Sequence, residues 1–381
     1  MQFPVNQLHT VPTPFYFYDV DLLQRTAAEA QLHALKYGYK VHYAIKANAN
    51  APLLRKLNAM GIGADCVSGN EVQRAIDCGF SPDHIAFAGV GKTDDEINLG
   101  IKHNIWCFNC ESEQEIEIIQ QLAAAQGKTA RIALRINPNV DAHTHHYITT
   151  GMEENKFGIQ LWQVAQAIDK VKSLNNVELV GLHFHIGSQI TDMQIFATLC
   201  QKMNELTASQ GVEIQHINLG GGLGVDYQSP DENPIPNFKD YFATIHQHLR
   251  VKQGQTVHVE LGRSLVAQCG ALIAKVLYVK KLRQKNFVIL DAGMSDLIRP
   301  ALYNAYHHIQ NLTSAAQDNE TYDVVGPICE SSDCFAKDVV LPVTQRGDFV
   351  ALRTAGAYGE VMASQYNLRW LPQAVYSSAS T

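Results

Sequence analysis

Val41-His42-Tyr43-Ala44-Ile45-Lys46-Ala47-Asn48 is an apolar β-type run that closes on a lysine, and it is the first of a series. Gly63–Val67, His84–Ala88, Ile105–Asn109 and Arg131–Ile136 follow, each starting between twenty and thirty residues after the last. That spacing fits a strand, a turn and a helix. Leu179–His185, His216–Leu219 and Val257–Leu261 bring the series to eight. Ser68-Gly69-Asn70-Glu71 and Ser112-Glu113-Gln114-Glu115 read as capping boxes placed directly after strands, where a helix should open. Eight strands alternating with helices predict an α/β protein built on a (β/α)8 TIM-type barrel, with an open doubly wound sheet as the competing arrangement. After about Gly262 the alternation stops. Ala271–Val279, Asn286–Leu290, Tyr322–Val325 and Asp348–Arg353 read as strands of a second, mostly β domain. Phe15–Asp19 is a further β run, and pairing with that domain would make the barrel an insertion. The expected division is a barrel over 22–262 and a β domain formed by 1–21 plus 263–381. Two inserts, Pro138–Phe157 and Ser229–Phe238, are expected to be active-site loops.

The chain has 381 residues, enough for one barrel and a smaller domain, and 46% of them are hydrophobic. A net charge of −7 without a basic stretch argues against a nucleic-acid partner. Met1–Thr10 is polar, and no apolar run reaches the ~18 residues of a membrane span. A cytoplasmic protein with no signal peptide and no membrane partner is therefore expected. Eight cysteines scattered through so long a chain fit reduced thiols better than a disulfide framework.

Several residues can carry chemistry. Lys46 stands at a strand's C-terminal end, where barrel side chains face the active-site mouth; the alternative is a lysine emerging into solvent. Gly220-Gly221-Gly222 follows the seventh strand and Gly262-Arg263 the eighth, where barrels often bind phosphate; a tight turn is the plainer reading. Glu260, beside them, can hydrogen-bond a pyridine nitrogen or form an ordinary salt bridge. His183 and His185 share one face of the sixth strand. They suit a metal, an imidazole stacked on a flat cofactor, or one packed and one active-site histidine, and metal ranks lowest. Cys107-x-x-Cys110 lacks the second half of a zinc site and reads as buried strand cysteines. His143, His145 and His146 read as a polar loop.

Taken together, Tyr43–Asn48, His183-Phe184-His185-Ile186-Gly187-Ser188, Gly220–Gly222 and Glu260-Leu261-Gly262-Arg263 resemble the alanine-racemase-fold decarboxylases that act on ornithine, arginine or diaminopimelate. Thr150–Gly158, Asp291-Ala292-Gly293-Met294, Arg299–Tyr303, Gly326-Pro327-Ile328-Cys329-Glu330-Ser331 and Gly356-Ala357-Tyr358-Gly359 resemble the branch acting on diaminopimelate. The match runs from about Pro14 to Arg369. The resemblance implies pyridoxal 5'-phosphate as cofactor, Lys46 as its Schiff-base lysine with Asp65 and Glu71 nearby, and His185 stacked on its ring. It implies Ser188, Gly221, Gly222, Gly262 and Arg263 around the phosphate, and Glu260 on the ring nitrogen. Arg263, Arg299, Tyr303, Glu330 and Tyr358 would surround the substrate, with Tyr358 also on the cofactor and Cys329 as proton donor. No metal is implied. A homodimer with shared active sites is, the Cys329–Glu330 loop of one chain reaching the Lys46 site of the other. Leu261, Glu360 and Arg369-Trp370-Leu371-Pro372 depart from the family pattern.

The function so implied is decarboxylation of meso-2,6-diaminopimelate to L-lysine and CO2, the last step of lysine biosynthesis. Two arginines suit a distal carboxylate and Glu330 a distal ammonium. An ornithine or arginine decarboxylase is the alternative within the family. A metal-dependent barrel hydrolase using His183 and His185, and a catalytically dead binding homologue, are the alternatives outside it.

Overall fold

The computed structural model describes residues 1, 3–140, 156–210 and 213–377. The inner part of the Pro138–Phe157 insert, with His143, His145, His146 and most of the Thr150–Gly158 motif, lies outside the described residues. By contacts the chain divides into two compact units, Ala27–Gly224 with Asn237–Leu265, and Met1–Thr26 with Val225–Pro236 and Val266–Thr381. The strands in chain order are β1 (Phe15–Tyr18), β2 (Lys40–Ala44), β3 (Gly63–Cys66), β4 (Ile85–Phe87), β5 (Cys107–Cys110), β6 (Ala130–Asn137), β7 (Ile159–Gln160), β8 (Val177–His183) and β9 (His216–Asn218). They continue as β10 (Thr256–Leu261), β11 (Gly270–Lys281), β12 (Asn286–Leu290), β13 (Ile309–Asn311), β14 (Asn319–Val325), β15 (Cys334–Pro342), β16 (Phe349–Leu352) and β17 (Gln373–Tyr376).

In the first unit the order β5-β4-β3-β2-β10-β9-β8-β6 closes on itself because β5 also pairs β6, and every pairing is parallel. This is the eight-stranded barrel; the short β7 adds to the edge of β6. The strands read as apolar runs because helices cover their outer faces. α1 (Val20–Leu35), α2 (Ala51–Ala59), α3 (Gly69–Asp77), α4 (Asp94–His103), α5 (Glu113–Ala125), α6 (Val164–Lys172), α7 (Met193–Gln210) and α8 (Phe238–His248) supply that cover. On α8 the buried set is Phe238, Tyr241, Phe242 and Ile245, the i, i+3, i+4, i+7 stripe of one helix face. Each such side chain contributes roughly 1.5–3 kcal/mol on burial.

The two expected capping boxes are half formed. Ser68 and Ser112 accept the amides of Glu71 and Glu115, but the glutamates reach one residue further back, to the amides of Val67 and Glu111 (2.7 Å each). A complete box heads α4, at Thr93–Glu96.

The second unit is a mostly β sheet in the order β13-β16-β11-β12-β14-β15, with β1 pairing β11 and β17. Phe15 and Phe17 pack with Ala271, Ile273, Phe349 and Ala351, alternate residues of three strands. Tyr16 and Tyr18 turn to the other face and are equally buried, because their hydroxyls reach the Asp296 carbonyl and the Glu360 carboxylate (2.7 Å each). That bond accounts for Glu360, one of the departures. Strands β13, β15 and β17 were not apparent in the sequence. Among the described residues β15 pairs with β14 alone, three of its nine residues are exposed, and its alternation breaks at Asp338, whose φ is 54°.

Candidate active site

β2 ends at Ala44, one residue earlier than its apolar run, and a single 3-10 turn, Ile45–Ala47, carries Lys46 out of the strand. Tyr43 holds the far side of that turn, its hydroxyl donating to the Asn48 carbonyl (2.9 Å). Lys46 is one-third exposed and its Nζ donates to Asp65 Oδ2 at 2.7 Å. Asp65 is fully buried at the centre of β3, and its Oδ1 has no hydrogen-bond partner among the described residues. Burial and the charge of Glu260 push the Asp65 carboxyl up, against the pull of Lys46, to about 6. Burial likewise pushes Glu71 up to about 7, the Val67 amide and Lys46 opposing it. Two carboxyls that titrate near neutrality thus act on one amine, an arrangement suited to moving a proton at Nζ.

Across the ring, Glu260 is 5% exposed and has both oxygens occupied. Asn109 and Asn218 donate to Oε1 (3.1 and 2.7 Å), and His183 Nε2 donates to Oε2 (2.9 Å). These donors stand on β5, β9 and β8, so the contacts run through the barrel interior. Burial alone would raise the Glu260 pKa, but His183 and Lys46 more than offset it and hold the group well below the usual carboxylate range. His183 is therefore the packed member of the histidine pair, and its Nδ1 is buried without a partner among the described residues. Asn109 and Asn218 were missed in the sequence. The available signal was a polar side chain on the inward face of a strand near its C-terminal end.

His185 lies beyond the end of β8, where its Nδ1 accepts the Gly221 amide (3.2 Å). Burial, then Arg135 and Lys46, push its pKa well below the ordinary value, so it is a neutral ring at neutral pH. The glycine run is required by close approach. A Cβ on Gly220 would sit 2.3 Å from the Phe184 carbonyl oxygen, and one on Gly221 2.0 Å from that of Glu260. Gly222 has φ +118°. Arg263, one residue past Gly262, donates through Nε to Ser188 Oγ (3.1 Å), so the loops after β8 and β10 meet.

The expected residues of the second unit are arranged as follows. Arg299 is buried and donates to His307 Nε2 (2.9 Å), while His307 Nδ1–H donates to the Arg353 carbonyl (2.9 Å). Tyr227 lies under the Arg299 guanidinium, 5.0 Å from it, and meets His307 edge-on. Tyr227 belongs to Val225–Pro236, which clusters with the second unit, and Asp231 in the same stretch takes two bonds from Arg353 (2.6 and 3.0 Å). Neither Tyr227 nor His307 was singled out in the sequence. Tyr303 and Tyr358 are half-buried, Tyr358 with φ 55°. Cys329 and Glu330 are exposed, and Glu330 accepts from Tyr366 (2.5 Å) and Ser332 (3.0 Å). Cys107 and Cys110 are buried thiols pushed up by desolvation. Among the described residues no cluster of three His, Cys, Asp or Glu side chains has the arrangement of a metal site.

The barrel mouth fits a flat, anionic, aldehyde-bearing cofactor in its donor set. It offers one accessible amine, an ionised carboxylate, an uncharged imidazole, and a glycine turn beside Ser188 and Arg263. Orphaned polar atoms on Asp65 and His183 leave hydrogen-bonding capacity unused.

Residues 22–267 match the model of the pyridoxal-dependent decarboxylases, in its pyridoxal binding domain. The chain belongs to this family. Within it, the chain is 54% identical to a diaminopimelate decarboxylase of Bacteroides thetaiotaomicron, over 97% of each chain. It is 43% identical to that of Helicobacter pylori strain J99, over 94% of this chain and 89% of the relative. The crystal structure of the Helicobacter pylori diaminopimelate decarboxylase complexed with L-lysine superposes with TM-score 0.93 at 40% identity, covering 98% of this chain and 94% of that one. The Chlorella virus arginine decarboxylase, 21% identical with TM-score 0.87, shares the fold. The nearer resemblance is thus to the diaminopimelate decarboxylases.

Proposed function

We propose that this chain decarboxylates meso-2,6-diaminopimelate to L-lysine and CO2 using pyridoxal 5'-phosphate. The observation that carries the reading is Glu260, a carboxylate kept ionised inside the barrel by donors from three other strands. Lys46 would hold the cofactor through Nζ, with His185 against the ring and Glu260 on its nitrogen. Ser188, Gly221, Gly222, Gly262 and Arg263 would hold the phosphate. When bound, the cofactor supplies an electron sink for the pair left behind by the departing carboxylate. Asp65 orients Lys46 Nζ and exchanges a proton with it. Arg299, fixed by His307 and Tyr227, takes the distal carboxylate, with Arg263, Tyr303 and Tyr358 around the substrate. Glu330 takes the distal ammonium, and Cys329 delivers the proton to Cα. The relatives named diaminopimelate decarboxylase, one of them complexed with L-lysine, support the substrate over ornithine or arginine.

We also infer a homodimer with shared sites, in a cytoplasmic setting. Exposed Cys329 and Glu330 sit in a unit that also exposes Leu302, Tyr306, Tyr366, Leu368, Trp370 and Leu371, apolar side chains that a partner subunit would cover. Borohydride reduction followed by peptide mapping tests the cofactor lysine; label on a lysine other than Lys46 sinks that assignment. Release of CO2 and lysine from a panel of diamino acids tests the substrate. Preference for ornithine or arginine overturns it.

A further inference from the structure

β12 and β14 are parallel neighbours, Ile289 opposite Val325, so the segments that leave them start side by side. One is Asp291–Met294 and the other is the turn from Gly326 to Cys334. Asp333, 3% exposed, lies between the two. Its Oδ1 accepts the Met294 amide and its Oδ2 the Ile328 amide, both at 2.6 Å. Its carbonyl accepts the Gly326 amide at 3.1 Å, closing the base of the turn. Two glycines make room for the carboxylate. A Cβ on Gly326 would lie 2.4 Å from Oδ2, and one on Gly293 3.0 Å from the same oxygen. Between buried Ile328 and buried Asp333, the four residues Cys329–Ser332 are all exposed. Within this tip the Glu330 amide donates to the Ile328 carbonyl and the Asp333 amide to the Glu330 carbonyl.

We infer that Asp333 is a positioning residue: its carboxylate clips the Met294 and Ile328 amides together and fixes the base of the turn that presents Cys329 and Glu330. What the tip does rests on the reading above; the clip does not. A carboxylate suits the task because two backbone donors converge on it and it offers only acceptors. Tyr366 and Ser332 orient the Glu330 side chain, but neither bond restrains the backbone at Ile328. With the clip loosened, the proton donor and the ammonium partner lose their fixed spacing while the sheet beneath keeps its ladder.

Asp333→Asn is the informative variant, since it keeps the shape but presents one acceptor oxygen to two N–H donors. In the holoenzyme, hydrogen exchange of peptides covering 293–296 and 326–334 should quicken about tenfold or more, with the β11, β12 and β16 peptides unchanged. KM for diaminopimelate should rise and kcat fall, with the visible cofactor band unchanged. Gly326→Ala, which crowds the carboxylate out of its cradle, should reproduce the pattern and serves if the Asn variant does not fold. Wild-type exchange in both peptides, or quickening spread evenly over the sheet, overturns the clip. Exchange reports on the clip whichever diamino acid is the substrate. A wild-type enzyme that spares diaminopimelate therefore fails the substrate reading alone.

Discussion

Consider two substitutions at Glu260. Alanine removes the carboxylate and leaves three buried donors, on His183, Asn109 and Asn218, facing an empty space. Removing one partner of such a buried charged network costs roughly 3–5 kcal/mol, a large part of the stability of an ordinary domain. Glutamine is different. Its carbonyl can keep the two asparagine bonds, and its NH2 then faces His183 Nε2, which donates in the wild type. Because His183 Nδ1 has no partner among the described residues, the ring can move its proton there and accept through Nε2. The Gln variant should therefore unfold within about 1 kcal/mol of wild type. Activity should not be spared, because the neutral amide cannot keep a pyridine nitrogen protonated. Losing a hydrogen bond to a charged group costs about 1.5–3 kcal/mol, so kcat should fall by a hundredfold or so. Urea unfolding and steady-state decarboxylation of the three proteins provide the comparison. A Gln variant as unstable as the Ala variant would refute the retautomerisation argument, and one with wild-type kcat would refute the electron-sink role.

Arg299→Ala should raise KM and lower kcat for diaminopimelate, reducing kcat/KM roughly ten- to a hundredfold; an unchanged value excludes Arg299 from the substrate. Mixing Lys46→Ala with Cys329→Ala, each nearly inactive alone, should restore about a quarter of wild-type activity if sites are shared across a two-fold axis. No recovery, with subunit exchange verified, sinks the shared site. His42 is buried, and desolvation lowers its pKa to about 4, against a smaller upward pull from Glu260. A histidine with a depressed pKa contributes stability above its unfolded value near 6.5 that is lost as pH falls towards 4. Relative to wild type, His42→Gln should gain on the order of 3 kcal/mol across that window; a difference independent of pH contradicts the assignment.

The barrel was legible because its strands are short apolar runs at helix-plus-strand spacing, and because Lys46 and the glycine run sit where barrels place function. What escaped the sequence is long-range. Period-two alternation puts His183 and His185 on one face, but only the presence of Glu260 on β10 makes His183 a buried clamp and leaves His185 to the mouth. Asn109 was masked by the neighbouring cysteines, and Asn218 by the glycines that follow it. Tyr227 is a lone aromatic in a loop, with no pattern to mark it; its significance lies in an arginine far along the chain. The Ser-x-x-Glu signals located α3 and α5 correctly but misjudged where the glutamates reach, since the amide one residue before the cap is also in range.

The polar interior has a further consequence for the fold. Below the Glu260 network, His42 Nδ1 lies 3.3 Å from the His84 carbonyl oxygen. A carbonyl only accepts, so His42 carries its proton on Nδ1 and its Nε2 must accept from His258 Nδ1 (2.9 Å). His258 Nε2 must in turn accept from His216 Nδ1 (3.1 Å). One backbone carbonyl thus sets the tautomer of three imidazoles, and Trp106 stacks on two of them, His42 and His258. Unpaired, such groups inside a barrel would each cost several kcal/mol; paired, they are tolerated only in this arrangement. A one-residue slip of β10 would turn His258 and Glu260 out towards the apolar faces of the helices and bring Val257, Val259 and Leu261 against Lys46 and Asn109. An interior of aliphatic side chains would penalise such a slip less sharply. The residues that prepare the site therefore also select the register in which the barrel closes.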